Sequence, residues 1–84
     1  MKIVFSSQAW EDYLHWQQMD RKLLKQINEL IKEVVRTPFE GTGKTETLRH
    51  ALGGYWSRRI NDEHRLIYKV EGDSVLIAQA RYHY

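Results

Sequence analysis

The chain has 84 residues, a formal charge of +2 at neutral pH, 42% hydrophobic and 12% aromatic residues, and no cysteine. That length makes one domain, residues 1–84, able to bury roughly 60–65% of its unfolded surface, and the apolar fraction excludes a disordered chain. The lack of cysteine excludes a disulfide framework and a thiolate zinc site, and no apolar run approaches the length of a membrane span.

The charge is unevenly placed. Residues 1–42 carry six Lys/Arg against six Asp/Glu, and residues 43–84 carry seven against five, so the whole excess lies in the second half. A basic face of this kind attracts phosphate backbones and acidic protein partners alike. The opening MKIVFSSQAW holds one lysine and a three-residue apolar run, too short for a secretory signal core. A cytoplasmic location with no membrane association is expected.

MKIVF reads as a short first strand. Ser6 or Ser7 suits a helix N-cap, with Glu11 and Asp12 early enough to complement the helix dipole. Trp10, Tyr13, Leu14 and Gln17 keep helical spacing, which predicts a helix from about residue 7 to residue 18. Asp20 reads as a second cap. Leu23, Leu24, Ile27, Leu30, Ile31, Val34 and Val35 then trace one apolar stripe at 3.6-residue period. This second helix should end near Arg36, because Thr37 precedes Pro38 and is pushed out of the helical region.

PFEGTGKTETLRHALGG has no sustained period and holds four of the five glycines. A connection of that length in so small a domain suggests a functional loop. GYWSRRIN, HRLIYKV and SVLIAQARYHY follow as strand-like runs joined by the turn signals NDEH and EGDS, and connections this short make antiparallel neighbours. The predicted fold is α+β, in β-α-α-β-β-β order, with two helices packed on one face of a twisted antiparallel sheet.

Pairing Val70 with Ser74 across the last turn puts Arg65, Ile67 and Lys69 on one face with Val75, Ile77, Gln79, Arg81 and His83. Leu66, Tyr68, Leu76, Ala78 and Ala80 are then left for the helices. A slip of one residue would set Arg65 beside Ala80 and Tyr82. The first register is the one expected, since it gives the helices an all-apolar set. Glu46 and Arg49 enter an edge of the polar face from the preceding loop.

A carboxylate, a histidine and several arginines around a sheet face suit phosphodiester cleavage by internal attack. A base removes the ribose 2′-OH proton, guanidinium groups stabilise the phosphorane, and an acid protonates the departing 5′-oxygen. That scheme calls for no metal or other cofactor. His15, His50 and His64 show no metal-ligand spacing. Trp10, Tyr13, Trp16 and Phe39 suit packing or a protein interface, Trp56 suits either packing or base stacking, and Tyr82 suits a sheet position.

The run RTPFEGTGKTETLRHALGGYWSRRINDEHRLIYKV, the terminal ARYHY, and the N-terminal W.DYL.W and INELIK segments together resemble the YoeB toxins of the RelE/YoeB superfamily over essentially the whole chain. The resemblance implies a RelE-like fold and a ribosome-dependent messenger-RNA endoribonuclease that cuts in the A site. It implies that Glu46 is the general base, His83 the general acid, Arg65 the arginine on the scissile phosphate, and Tyr84 a terminal residue shaping the site. Lys44, Arg49, Arg58 and Arg59 fall in the basic surroundings that bind substrate; strand parity does not separate Arg58 from Arg59. Position 49 is Arg where the group often carries Lys, which keeps the charge but not the compact donor.

The partners implied are the ribosome with its mRNA, an acidic YefM-like antitoxin that folds over the basic face, and a second copy in a homodimer to which the aromatic first helix contributes. A ParE-like gyrase inhibitor, which would not need Glu46 and His83, or a protein that occupies the decoding site without cutting, stands as the alternative.

Overall fold

The computed structural model describes residues 1–39, 45–47 and 54–82, the middle segment by its backbone. The chain forms β1 (Lys2–Phe5), α1 (Ser7–Met19), α2 (Arg21–Arg36), β2 (Thr45–Thr47), β3 (Tyr55–Arg59), β4 (Arg65–Glu71) and β5 (Ser74–Gln79). The five strands make one sheet in the order β1-β5-β4-β3-β2.

Two polar residues punctuate the helices. Ser6 Oγ accepts from Ala9 N–H at 3.0 Å and donates to the Ala78 carbonyl at 2.8 Å, so the cap of α1 is also pinned to the last strand. Asp20 closes one helix and opens the next: its N–H donates to the Trp16 carbonyl at 2.9 Å, and its side chain accepts from Leu23 N–H at 3.1 Å. One orphan group at each of the two helix ends that meet here is thereby satisfied. Thr37 N–H donates back to Glu33 at 2.7 Å, ending α2 where Pro38 forbids another turn.

The stripe of α2 meets the sheet as its period predicts. Leu23, Ile27, Leu30, Ile31 and Val34 pack with Ala9 and Trp16 of α1 and with Leu66, Tyr68, Val75 and Ile77 of the sheet. Among the described residues, no helix is long and apolar enough to cross a membrane.

Four expectations need correction. The sheet is mixed rather than antiparallel, because β1 pairs β5 in parallel, Ile3 with Val75 and Phe5 with Ile77. Short turns constrain only β3, β4 and β5; β1 meets its neighbour after the rest of the chain has passed, so its direction is free of that rule. The loop also contains a strand, β2, which pairs antiparallel with β3.

The register of the last hairpin differs as well. Val70 pairs Val75 and Glu71 pairs Ser74 across a two-residue turn. Gly72 occupies the first turn position at a φ of +55°, a conformation that side chains disfavour and hairpin turns use. Val75 and Ile77, not Leu76 and Ala78, therefore enter the helix-side core. A β-bulge then restores the expected polarity: Tyr68 pairs Ile77 but Ile67 pairs Gln79, leaving Ala78 as the extra residue. Beyond it Gln79 returns to the face of Arg65.

The fourth correction concerns the C-terminal run, expected as strand to its end. β5 stops at Gln79, and Tyr82 takes a φ of +66°.

Candidate active site

Strand alternation divides β3 and β4 into two faces. Trp56, Arg58, Leu66 and Tyr68 point toward the helices, and Ser57, Arg59, Arg65 and Ile67 share the other side. Arg59 and Arg65 are direct cross-strand partners. Like charges opposed in this way are destabilising, and an anion seated between them would relieve the repulsion. Arg59 stays exposed and reaches Asp62 at 3.3 Å. Arg65 is only 8% exposed, and its Nε–H donates to Ser57 Oγ, which fixes the plane of the guanidinium.

Position 46 stands cross-strand from that same Ser57. β2 thus joins the expected base and the expected phosphate ligand through one residue of β3. The described residues include only the backbone of Glu46; Lys44, Arg49, His83 and Tyr84 lie outside them.

Arg58 is separated from its neighbour completely. Expected among the substrate-binding cations, it is instead fully buried on the helix side. There it lies 3.7 Å from Glu33, donates to the Thr37 carbonyl at 3.1 Å, and sits 5.8 Å from the centre of the Tyr68 ring. Burial raises the Tyr68 phenol above its ordinary pKa, with the Arg58 charge pulling the other way. The Tyr68 hydroxyl donates to the Pro38 carbonyl. Arg58 and Tyr68 together fasten the residues that lead into the loop.

The residues leading to the terminus are held one by one. Ala80 N–H donates to Asp12 Oδ2 at 3.0 Å, and the Ala80 carbonyl accepts from Trp16 Nε1 at 2.9 Å. The Arg81 carbonyl accepts from Gln79 Nε2 at 2.7 Å, while its guanidinium lies 4.5 Å from the centre of the Tyr82 ring. The Tyr82 carbonyl accepts from Arg65 N–H at 3.0 Å.

Asp12 is therefore not a dipole residue. It is 3% exposed, and Gln8 Nε2 donates to its other oxygen at 2.9 Å. Its helical position gave no hint of this; only its place on the face of Trp16, one turn earlier, could have suggested it. Asp12→Ala leaves the buried Ala80 amide without its acceptor, which should cost about 1–3 kcal/mol, read as a lower midpoint in urea unfolding with an unchanged slope.

Among the described residues, no group of three or more His, Cys, Asp or Glu side chains converges as a metal site would require.

Comparison with known proteins extends over essentially the full chain. Residues 5–84 match the family model for YoeB-like toxins of bacterial type II toxin–antitoxin systems. The chain is 60% identical to the Escherichia coli K12 toxin YoeB over 84 residues, covering all of both chains. The Staphylococcus aureus YoeB dimer superposes with a TM-score of 0.93 at 52% identity, over 100% of this chain and 98% of that one. The toxin of the heterotetrameric YoeB–YefM complex from the same organism gives 0.91 at 52% identity, with the same coverage. By family model, by identity and by fold, the chain belongs to the YoeB-like toxins of type II toxin–antitoxin systems.

Proposed function

We propose that this toxin is a ribosome-dependent endoribonuclease that cuts messenger RNA in the A site, on the sheet face away from the helices. The observation that carries the reading is the cross-strand pair Arg59 and Arg65. Position 46 adjoins one side of it through Ser57, and the last described residue is tied to Arg65 on the other.

In this scheme the Glu46 carboxylate takes the 2′-OH proton, and the 2′-oxygen forms a bond to phosphorus. Arg65, with Arg59, Arg49 and Lys44 around it, stabilises the charge on the phosphorane oxygens. The P–O5′ bond breaks and His83 passes a proton to the 5′-oxygen. The products are a 2′,3′-cyclic phosphate and a 5′-hydroxyl. Tyr84 shapes the pocket around the leaving group. Arg58 has no part, being shut away on the other face.

The partners follow from the family. A YefM-like acidic antitoxin covers the basic face, as an ordered segment docked on guanidinium groups. A second copy meets the apolar side of α1 and β1. There Trp10 is 50% and Ile3 47% exposed, Trp10 stacks on Tyr13 at 5.8 Å, and a groove of about 590 Å³ opens against α2. Neither Arg59 nor Arg65 lines that groove, so dimerisation and cleavage use different surfaces.

The test is a ribosome programmed with a defined A-site codon, to which purified toxin is added. Message ends should map within or next to that codon and carry a 2′,3′-cyclic phosphate or its opened 3′-phosphate. A stalled ribosome on intact message would identify a blocking protein instead. Unaffected ribosomes with failed DNA supercoiling would identify a gyrase inhibitor.

A further inference from the structure

Tyr82 is held in a conformation it does not favour. A side chain at a φ of +66° crowds its own carbonyl, and such a residue persists only where its surroundings over-determine it. One hold is the hydrogen bond from Arg65 N–H to the Tyr82 carbonyl, at 3.0 Å. The other is His64, whose Nδ1 accepts from Tyr82 N–H at 2.8 Å. Two consecutive residues, His64 just before β4 and Arg65 at its start, thus grip both backbone groups of Tyr82.

The imidazole is itself fixed. Its ring meets Trp16 edge-on, with centres 4.7 Å apart and planes at 69°. Its own backbone N–H donates to Asn61 Oδ1 at 2.8 Å. Its side chain is only 12% exposed, and Nε2 lies 4.0 Å from the Glu63 carboxylate. Accepting from Tyr82 requires a lone pair on Nδ1, which puts the ring proton on Nε2, on the side of Glu63.

We propose that His64 is a positioning residue for the end of the chain: by holding Tyr82 N–H it fixes, relative to the Arg65 guanidinium, the point from which His83 departs. The peptide bond joins Tyr82 to His83, so an error at Tyr82 passes directly to the next residue. The catalytic consequence rests on the reading of His83 as general acid; the grip on Tyr82 rests on the geometry alone. His64 touches neither substrate nor reacting atoms in this role. It acts through Tyr82.

Two variants separate positioning from packing. His64→Phe keeps a ring against Trp16 and removes the acceptor. His64→Asn loses the ring but keeps an oxygen near the place of Nδ1. Amide hydrogen exchange by NMR should show Tyr82 protected in the wild type and at least about tenfold less protected in His64→Phe, with Leu66 and Val75 unchanged. His64→Asn should retain most of the protection. On programmed ribosomes His64→Phe should cut about ten- to a hundredfold more slowly at saturating toxin, at unchanged ribosome affinity, and His64→Asn should recover most of the rate.

Rapid exchange of the Tyr82 amide in the wild type would overturn the proposal without any variant. So would a fully active His64→Phe beside an impaired His64→Asn, the pattern of a packing residue. If the wild type fails to cut any message, the cleavage reading falls, and the exchange measurement still decides whether His64 holds Tyr82.

Discussion

Replacing Arg58 with alanine is expected to destabilise the toxin by about 2–4 kcal/mol, whereas Arg59→Ala should stay within about 0.5 kcal/mol of the wild type. The two residues are adjacent and carry the same charge, so the contrast tests side-chain placement alone. Arg58 is fully buried; removing it empties an interior site, takes a nearby cation from Glu33, which Arg36 also reaches at 3.8 Å, and takes the donor from the Thr37 carbonyl. Among the described residues, the ion pair Arg59 makes is with Asp62, itself 90% exposed, and exposed pairs contribute little. For a domain of this size the Arg58 change should lower the melting temperature by roughly 10 °C or more.

Cleavage should show the opposite order when rates are taken per folded molecule at low temperature. Arg59→Ala removes a cation beside the proposed scissile phosphate and should slow cutting at least about tenfold, or 1.4 kcal/mol. The Arg58 variant should cut normally while folded. A double replacement, Arg58→Met with Glu33→Leu, should regain part of the lost stability, because well-packed apolar groups often replace a buried ion pair without net cost. An Arg58→Ala protein as stable as the wild type would remove Arg58 from the interior.

How far such a contrast could be read from sequence varies along the chain. The second helix was fully legible, from its cap at Asp20 to its end before Pro38, because seven apolar residues keep one period and polar residues fill the rest. β5 was not. Val75, Leu76, Ile77 and Ala78 are all apolar, so alternation carries no information about which face is buried. The bulge at Ala78 then cancels the resulting error, which is why Gln79 reaches the expected side by an unexpected route.

The site shows the same division. The roles of Glu46, Arg65 and His83 come from the family resemblance, and of the three only the Arg65 side chain lies among the described residues, buried against Ser57. The groups that hold the terminus were not legible, because they act through backbone atoms far away in sequence. Asp12 and Ala80 are 68 residues apart, and Trp16 and Ala80 are 64 apart. Periodicity in α1 picks out Trp10, Tyr13, Leu14 and Gln17, whereas the buried residues of the helix are Ala9, Asp12 and Trp16, so it shows neither the burial of Trp16 nor what its indole N–H will meet.

The second large effect concerns the end of the chain. His83→Ala should reduce the cleavage rate on programmed ribosomes by about 10²–10⁴-fold, the usual contribution of a positioned general acid or base. Stability should not move, because the holds on Ala80 and Tyr82 remain. Loss of rate alone would not tell an acid from a base, but the leaving group can. In a message whose scissile 5′-oxygen is replaced by sulfur, the departing thiolate needs no proton, so an acid has nothing to contribute. His83→Ala should then cut that message at nearly the wild-type rate. Glu46→Gln should remain slow on both messages, because the 2′-OH still has to lose its proton before phosphorus can be attacked. An equal defect of His83→Ala on the oxygen and sulfur messages would take the general-acid role from His83 and leave protonation of the 5′-oxygen to another group.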